Sequence, residues 1–202
     1  MKWTKSLPSL ALIGAALSLS ACGSSAPATS GPASADPVEK QVETKKADPA
    51  KSSRGNFISK VGATASFSDS LSDKETAKVT VTKIAKGACT EPYAQPAENG
   101  NFVFVTVAIQ TTPALADASY PKFDLNAGNF KFIAKNGTTF NGMLSTGPSF
   151  GCLAQDKTLP MAGMGPDEKV TGVIVLDVPQ PTGTLIMNNA LSGGNSGFEF
   201  AF

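Results

Sequence analysis

The stretch Asn101 to Gln110 reads NFVFVTVAIQ. It consists almost entirely of β-branched, aromatic and small apolar residues, and its apolar side chains fall on both faces of a period-two pattern. A run of this length and type predicts a central strand buried between two layers. Working outward, alternation recurs on both sides. GATASFSD gives a weak signal around Ala63 to Phe67. In AKVTVTKIAKG, Val79 and Val81 alternate with Thr80 and Thr82. EKVTGVIVLDVP predicts another long apolar strand, closed by Pro179, and GTLIMNN follows after the turn PQPTG.

Turn chemistry fits the same picture. NFKFIAKNGTTFNG sets Phe130 and Phe132 on one face and then reaches Asn136-Gly137, a dipeptide that tolerates the positive φ of a tight hairpin. The chain ends in GFEFAF, whose alternation puts Phe198, Phe200 and Phe202 on one face and predicts three buried rings. Helical periodicity is scarce. PALADASYP, Pro113 to Pro121, is the best candidate for a short helical turn, bounded by its two prolines. About seven short strands with Gly, Pro and Asn turns predict an all-β fold, an antiparallel β-sandwich of immunoglobulin-like type, with a β-barrel as the alternative.

The amino-terminal segment has a different purpose. Lys2 and Lys5 precede a short apolar run from Leu10 to Leu19, of the length of a secretory signal and about half that of a membrane span. The four residues Leu19-Ser20-Ala21-Cys22 resemble the lipobox of bacterial lipoproteins. That likeness implies cleavage after residue 21 and a diacylglycerol thioether, with acyl chains such as palmitate, on Cys22, since stable attachment needs more than one chain. Residues 1–21 are therefore expected to be a signal peptide and residues 22–55 a lipidated cysteine followed by a disordered linker. From Gly23 to Gly55 there is no aromatic residue, and Pro, Ala, Ser, Lys and Glu dominate. Such a segment buries too little apolar surface to offset the entropy of ordering. As a random coil it spans roughly 30 Å. Residues 56–202 form the one domain with a sizeable core.

Composition removes whole classes of function. The chain has 17 basic and 16 acidic residues and no histidine. Between Asn56 and Phe202 there are 10 basic and 12 acidic residues without a basic cluster, so nucleic acid is not an expected partner. Without histidine there is no Ser-His-Asp or Cys-His arrangement and no imidazole for zinc. Once Cys22 is the anchor, Cys89 and Cys152 remain; in an exported chain they read first as a disulfide and second as two free thiols.

Four segments together are similar to a family of bacterial surface lipoproteins carrying an immunoglobulin-like domain of unknown function, related in fold to a secreted immunoprotective antigen of mycobacteria. They are Val79 to Gly87, Phe102 to Thr112, Phe123 to Phe140 and Met164 to Pro179. The last resembles the family's Pro-Gly-Glu turn leading into a Val-x-Gly-x-Val-x-Phe-x-Val-Pro strand, with Asp167 where the glycine usually lies and Leu176 in place of the phenylalanine. The resemblance implies a fold and a location, and it brings no catalytic signature.

Several constellations could carry chemistry. Asp124-x-Asn126-x-Gly128-Asn129 resembles an oxygen-rich calcium loop, but Lys135 stands where the bidentate glutamate belongs, which favours an ordinary Asn/Gly turn. Met161 and Met164, with Met143 and Met187, offer thioethers for cuprous ion, though methionine in a Gly/Pro loop also serves as a flexible apolar plug. Asp167-Glu168 could act as paired carboxylates in a hydrolase, yet adjacent strand residues point to opposite faces and a solvated turn is the better reading. SGGNSG near Ser192 reads as a flexible loop. The long loops Cys89 to Gly100 and Leu144 to Pro166 carry Tyr93, Phe150 and Met161, the candidate binding surface. The expected function is thus a lipid-anchored extracytoplasmic binding or interaction module with an unidentified ligand or cell-envelope protein partner. No enzyme activity and no cofactor are expected. The alternatives are a metal-binding envelope protein taking calcium or copper and a carboxylate-dependent hydrolase.

Overall fold

The structure, a computed structural model, describes residues 50–188 and 197–202. The signal peptide, Cys22, most of the linker and the loop around Ser192 lie outside those residues. Among the described residues no helix is long and apolar enough to cross a membrane.

Among the described residues eight strands form two four-stranded sheets: β1 (Phe57–Ile58), β2 (Thr64–Ser68), β3 (Glu75–Lys86), β4 (Asn101–Thr111), β5 (Phe130–Ile133), β6 (Lys169–Val178), β7 (Thr184–Met187) and β8 (Phe198–Ala201). One sheet runs β2-β3-β4-β6, antiparallel throughout; the other runs β1-β8-β7-β5 and is antiparallel except that β1 pairs with β8 in parallel. This is an all-β sandwich, as the alternation predicts, with the sheets separate rather than closed into a barrel. The fully buried Val79, Val81, Val103, Val105 and Val107 of the first sheet share one core cluster with Phe132, Leu185 and Met187 of the second. Burying each such side chain stabilises the fold by about 1.5–3 kcal/mol.

β4 lies at the centre of its sheet, but its second apolar face meets no other sheet. Phe102 is buried there with Cys152 and Val175 in a separate small cluster, so the outer layer over this end of the strand is built from loops. In β3 the alternation slips once: Val81 pairs with Val107 and Lys83 with Thr106, leaving Thr82 as the extra residue of a bulge. Ile84 then returns to the core side.

The Asn136-Gly137 turn is present with two differences from the expectation. Only Gly137 has positive φ, at 86°; its N–H donates to Ala134 O, and Ala134 N–H donates to Thr138 O. The returning arm is a single bridge, Ile133 to Thr139, not a strand. Pro113–Asp117 forms the short turn expected there, as a 3-10 helix.

The final strand also departs from expectation. Phe200 is buried at 2 % exposure, whereas Phe198 and Phe202 are half-buried at the margin of the core. Phe202 stands edge-on to Phe132 with centroids 6.3 Å apart. The intervening Glu199, on the face opposite the three phenylalanines, is buried because residues 52–56 fold back over it: it accepts hydrogen bonds from Ser52 Oγ at 2.7 Å, Asn56 Nδ2 at 2.8 Å and Arg54 Nη1 at 3.3 Å. The folded unit therefore reaches back into the stretch that composition alone groups with the linker ending at residue 55, with Lys51 bridging Phe57.

Candidate functional site

The loops over the outer face of β4 and β6 are held by two devices. The first is a Cys89–Cys152 disulfide, with Cα atoms 4.4 Å apart; Thr90 N–H donates to Cys152 O beside it at 2.9 Å. The second is Asp177, fully buried in the apolar strand β6. Its carboxylate accepts from the backbone N–H groups of Glu98 at 2.7 Å and Asn99 at 3.0 Å, and from Thr146 Oγ1 at 2.8 Å. Three donors on one carboxylate tie both long loops to the sheet, and they satisfy a charge that would be costly if buried bare.

From Thr146 the chain makes one helical turn, α1 (Gly147–Phe150), opened by Pro148, whose fixed φ suits the first turn. Ser149 turns inward, donating to Thr146 O at 2.8 Å, and Phe150 is left outward at 68 % exposure. After Leu153 and a 3-10 turn at Gln155–Lys157, Thr158 makes a parallel bridge to Val173 of β6. Gly172 permits that approach: a Cβ there would lie 2.8 Å from the backbone carbon of Thr158 and 2.9 Å from the nitrogen of Leu159. Met161 follows at 81 % exposure.

Between this loop, residues 124–127 and β6 lies a cavity of about 300 Å³, walled by Leu125, Leu153, Leu159 and Val175, with Phe150 and Met161 also in its lining. Two of the three candidate binding residues thus converge on one concavity. The third, Tyr93, is 90 % exposed on the other disulfide-bonded loop and is not among the lining residues. Leu125, Leu153 and Leu159 were not legible as site residues; the one available signal was the presence of leucines in loops otherwise rich in Gly, Pro and polar side chains.

The polar lining is mostly committed. Asn126 caps the 3-10 turn at Ala127–Asn129, accepting from Gly128 N–H at 2.8 Å, while its own N–H donates to Asn129 Oδ1 at 2.8 Å. Oxygens that a calcium loop would need thus serve the local backbone. Thr158 Oγ1 donates to Gln155 O at 3.0 Å, and the Gln155 amide lies 3.9 Å from Met161 Sδ. Among the described residues Asp124 makes no hydrogen bond or ion pair; its carboxyl occupies the space that a Cβ on Gly163 would need.

The other candidate chemistries are dispersed. Met164 and Met187 are core residues, apart from the exposed Met143 and Met161. Asp167 and Glu168 are both exposed on the turn before β6. Asp167 adopts φ 58°, the left-handed region glycine prefers, and buried Thr111 secures that turn, donating to Gly165 O at 2.7 Å and accepting from Glu168 N–H at 2.8 Å. No group of three or more acidic or cysteine side chains suited to a metal occurs among the described residues. A second concavity of about 410 Å³ lies on the open outer face of the first sheet, lined by Thr64, Lys78, Thr80, Gln110, Lys169 and Thr171. Beside it Glu75 is held below the ordinary carboxyl range by a hydrogen bond from Ser66, aided by Lys78. This concavity is an open stretch of sheet surface with Ala108, Ile109 and Val170 also in its lining.

No protein-family model and no curated protein matches this sequence. Among solved structures, the crystal structure of MPT63, a secreted protein from Mycobacterium tuberculosis, is similar with a TM-score of 0.48 and 16 % identity, covering 73 % of this chain and 98 % of that one.

Proposed function

We propose that this protein is a lipid-anchored extracytoplasmic binding module, attached through Cys22, whose site is the cavity between residues 124–127, residues 145–161 and β6. One observation carries the reading: Phe150 and Met161, two large apolar side chains 68 % and 81 % exposed, stand at a single cavity with apolar walls. Exposed apolar side chains gathered at a concavity are what ligand sites present, and a surface without a ligand has little reason to keep them together. The Cys89–Cys152 bond supports an oxidising compartment. Phe150 sits next to Gly151 and Cys152, so the bond also fixes one lip of the cavity relative to the sheet.

Two experiments test the halves of this proposal separately. Cys22→Ser should move the protein out of the membrane fraction; continued acylation of the variant would overturn the anchor. A protein-observed NMR fragment screen should give saturable shifts centred on Leu125, Leu153 and Val175. Hits confined to other surfaces would overturn the site.

A further inference from the structure

The cavity's lining contains only one ionisable side chain, Asp124, and this residue selects the kind of ligand. Asn126, Ser149 and Thr158 already bond to nearby backbone atoms. The carboxylate of Asp124 has no partner among the described residues. Lys122, the nearest cation in sequence, donates instead to Ala162 O at 3.3 Å. A half-buried carboxylate with no partner, set against apolar walls, can only accept hydrogen bonds. It repels anions, and toward a charged N–H it adds Coulomb attraction to the hydrogen bond that a neutral donor would also make. At the rim, the Phe150 ring and the Met161 sulfur are polarizable groups; an aromatic face attracts a cation and tolerates an apolar body equally well. The volume of about 300 Å³ is at the small end of ligand sites.

Resting on the reading of this cavity as the binding site, we infer that it takes a small organic cation: one ring or a short apolar chain ending in a protonated amine. The ammonium meets Asp124, and the apolar body lies against Leu125, Leu153 and Leu159. Small acids and phosphorylated compounds are excluded by the same carboxylate. The polar groups that would otherwise bind a neutral sugar-like ligand are mostly occupied within the protein.

The test uses the full chain carrying Cys22→Ser and three probes of nearly equal shape: 2-phenylethylamine, 2-phenylethanol and phenylacetate. The amine should shift the amide resonances of residues 124–127 and 149–153 saturably, with a Kd on the order of 1 mM. The alcohol should bind at least about fivefold more weakly, in line with the loss of the donor's positive charge, and phenylacetate should leave those resonances unmoved. Asp124→Asn should abolish the preference for the amine without changing Tm, since the carboxylate supports no other described residue. Equal binding of amine and alcohol, or an unaltered preference in the variant, would overturn the inference while leaving the cavity as a binding site. If none of the probes shifts these resonances, the reading of the site falls and the inference falls with it. The comparison of probes on the unsubstituted cavity stands even if the Asp124 variant folds poorly.

Discussion

Asn56 and Glu199, 143 positions apart, meet through a hydrogen bond of 2.8 Å from Nδ2 to Oε1, and the same asparagine accepts from Gly197 N–H at 2.7 Å. Asn56 thereby joins the start of the folded unit to its last strand. The carboxylate it binds is nearly covered, whereas Arg54, the ion-pair partner at 3.3 Å, is 41 % exposed.

Glu199 and its ion-pair partner Arg54 should therefore respond unequally to mutation. Glu199→Ala strands the buried Asn56 amide and is expected to cost about 2–3 kcal/mol. Arg54→Ala removes a half-exposed ion pair and should cost below about 1 kcal/mol. Denaturant titration of both variants checks the ratio, and equal losses would mean the ion pair, rather than the buried amide bond, dominates.

Asp177 offers a sharper case. Asp177→Ala removes three hydrogen bonds at once and leaves the Glu98 and Asn99 N–H groups without an acceptor. The expected loss is roughly 3 kcal/mol or more. Hydrogen exchange should accelerate first at residues 97–100 and 144–149. Uniform acceleration across the sheet would contradict a role confined to the loops.

Replacing both bridged cysteines by alanine reopens a loop of 63 positions. The chain-entropy estimate is about 4 kcal/mol as an upper figure. Since Cys152 is fully buried against Phe102 and Val175, part of the loss should appear as packing and persist when the unsubstituted protein is compared in its reduced state. A thermal melt of oxidised, reduced and double-alanine forms separates the two contributions.

In the last strand, Phe200→Ala is expected to cost on the order of 3–5 kcal/mol. The half-buried Phe202 should cost clearly less, about 1–2 kcal/mol, because its ring loses less burial and one edge contact with Phe132. Similar losses for the two would show that the sandwich margin is as tightly packed as its centre.

These sites differ in how far they could be read from sequence. The strands were legible wherever side-chain alternation reflects burial: β4, β6 and the first half of β3 follow directly from their valines. The pattern loses meaning at Thr82, because a bulge adds a residue that no composition announces. It misleads at Glu199, where alternation gives the face correctly and the covering comes from residues 52–56, a segment whose composition resembles linker. β1 is two residues long and pairs in parallel with a strand some 140 positions away; such a short strand has no period to detect. Asp177 sits inside an apolar strand, and its partners come from loops whose path no local signal sets. Of the candidate surface residues, Phe150 and Met161 share a cavity because Thr158 is laid along β6 beside Gly172, a contact visible only in three dimensions.

The brevity of β1 has a mechanical consequence. Tension applied to the chain before residue 50 is resisted first by a two-residue strand and the hydrogen bonds around Glu199, not by the long pairings of β3, β4 and β6. Under load, residues 50–63 should peel away before β2 is pulled, releasing at most about 50 Å of extended chain. The sandwich core and the Cys89–Cys152 loops would remain folded behind that yielding segment, which would lengthen the tether ahead of the proposed site.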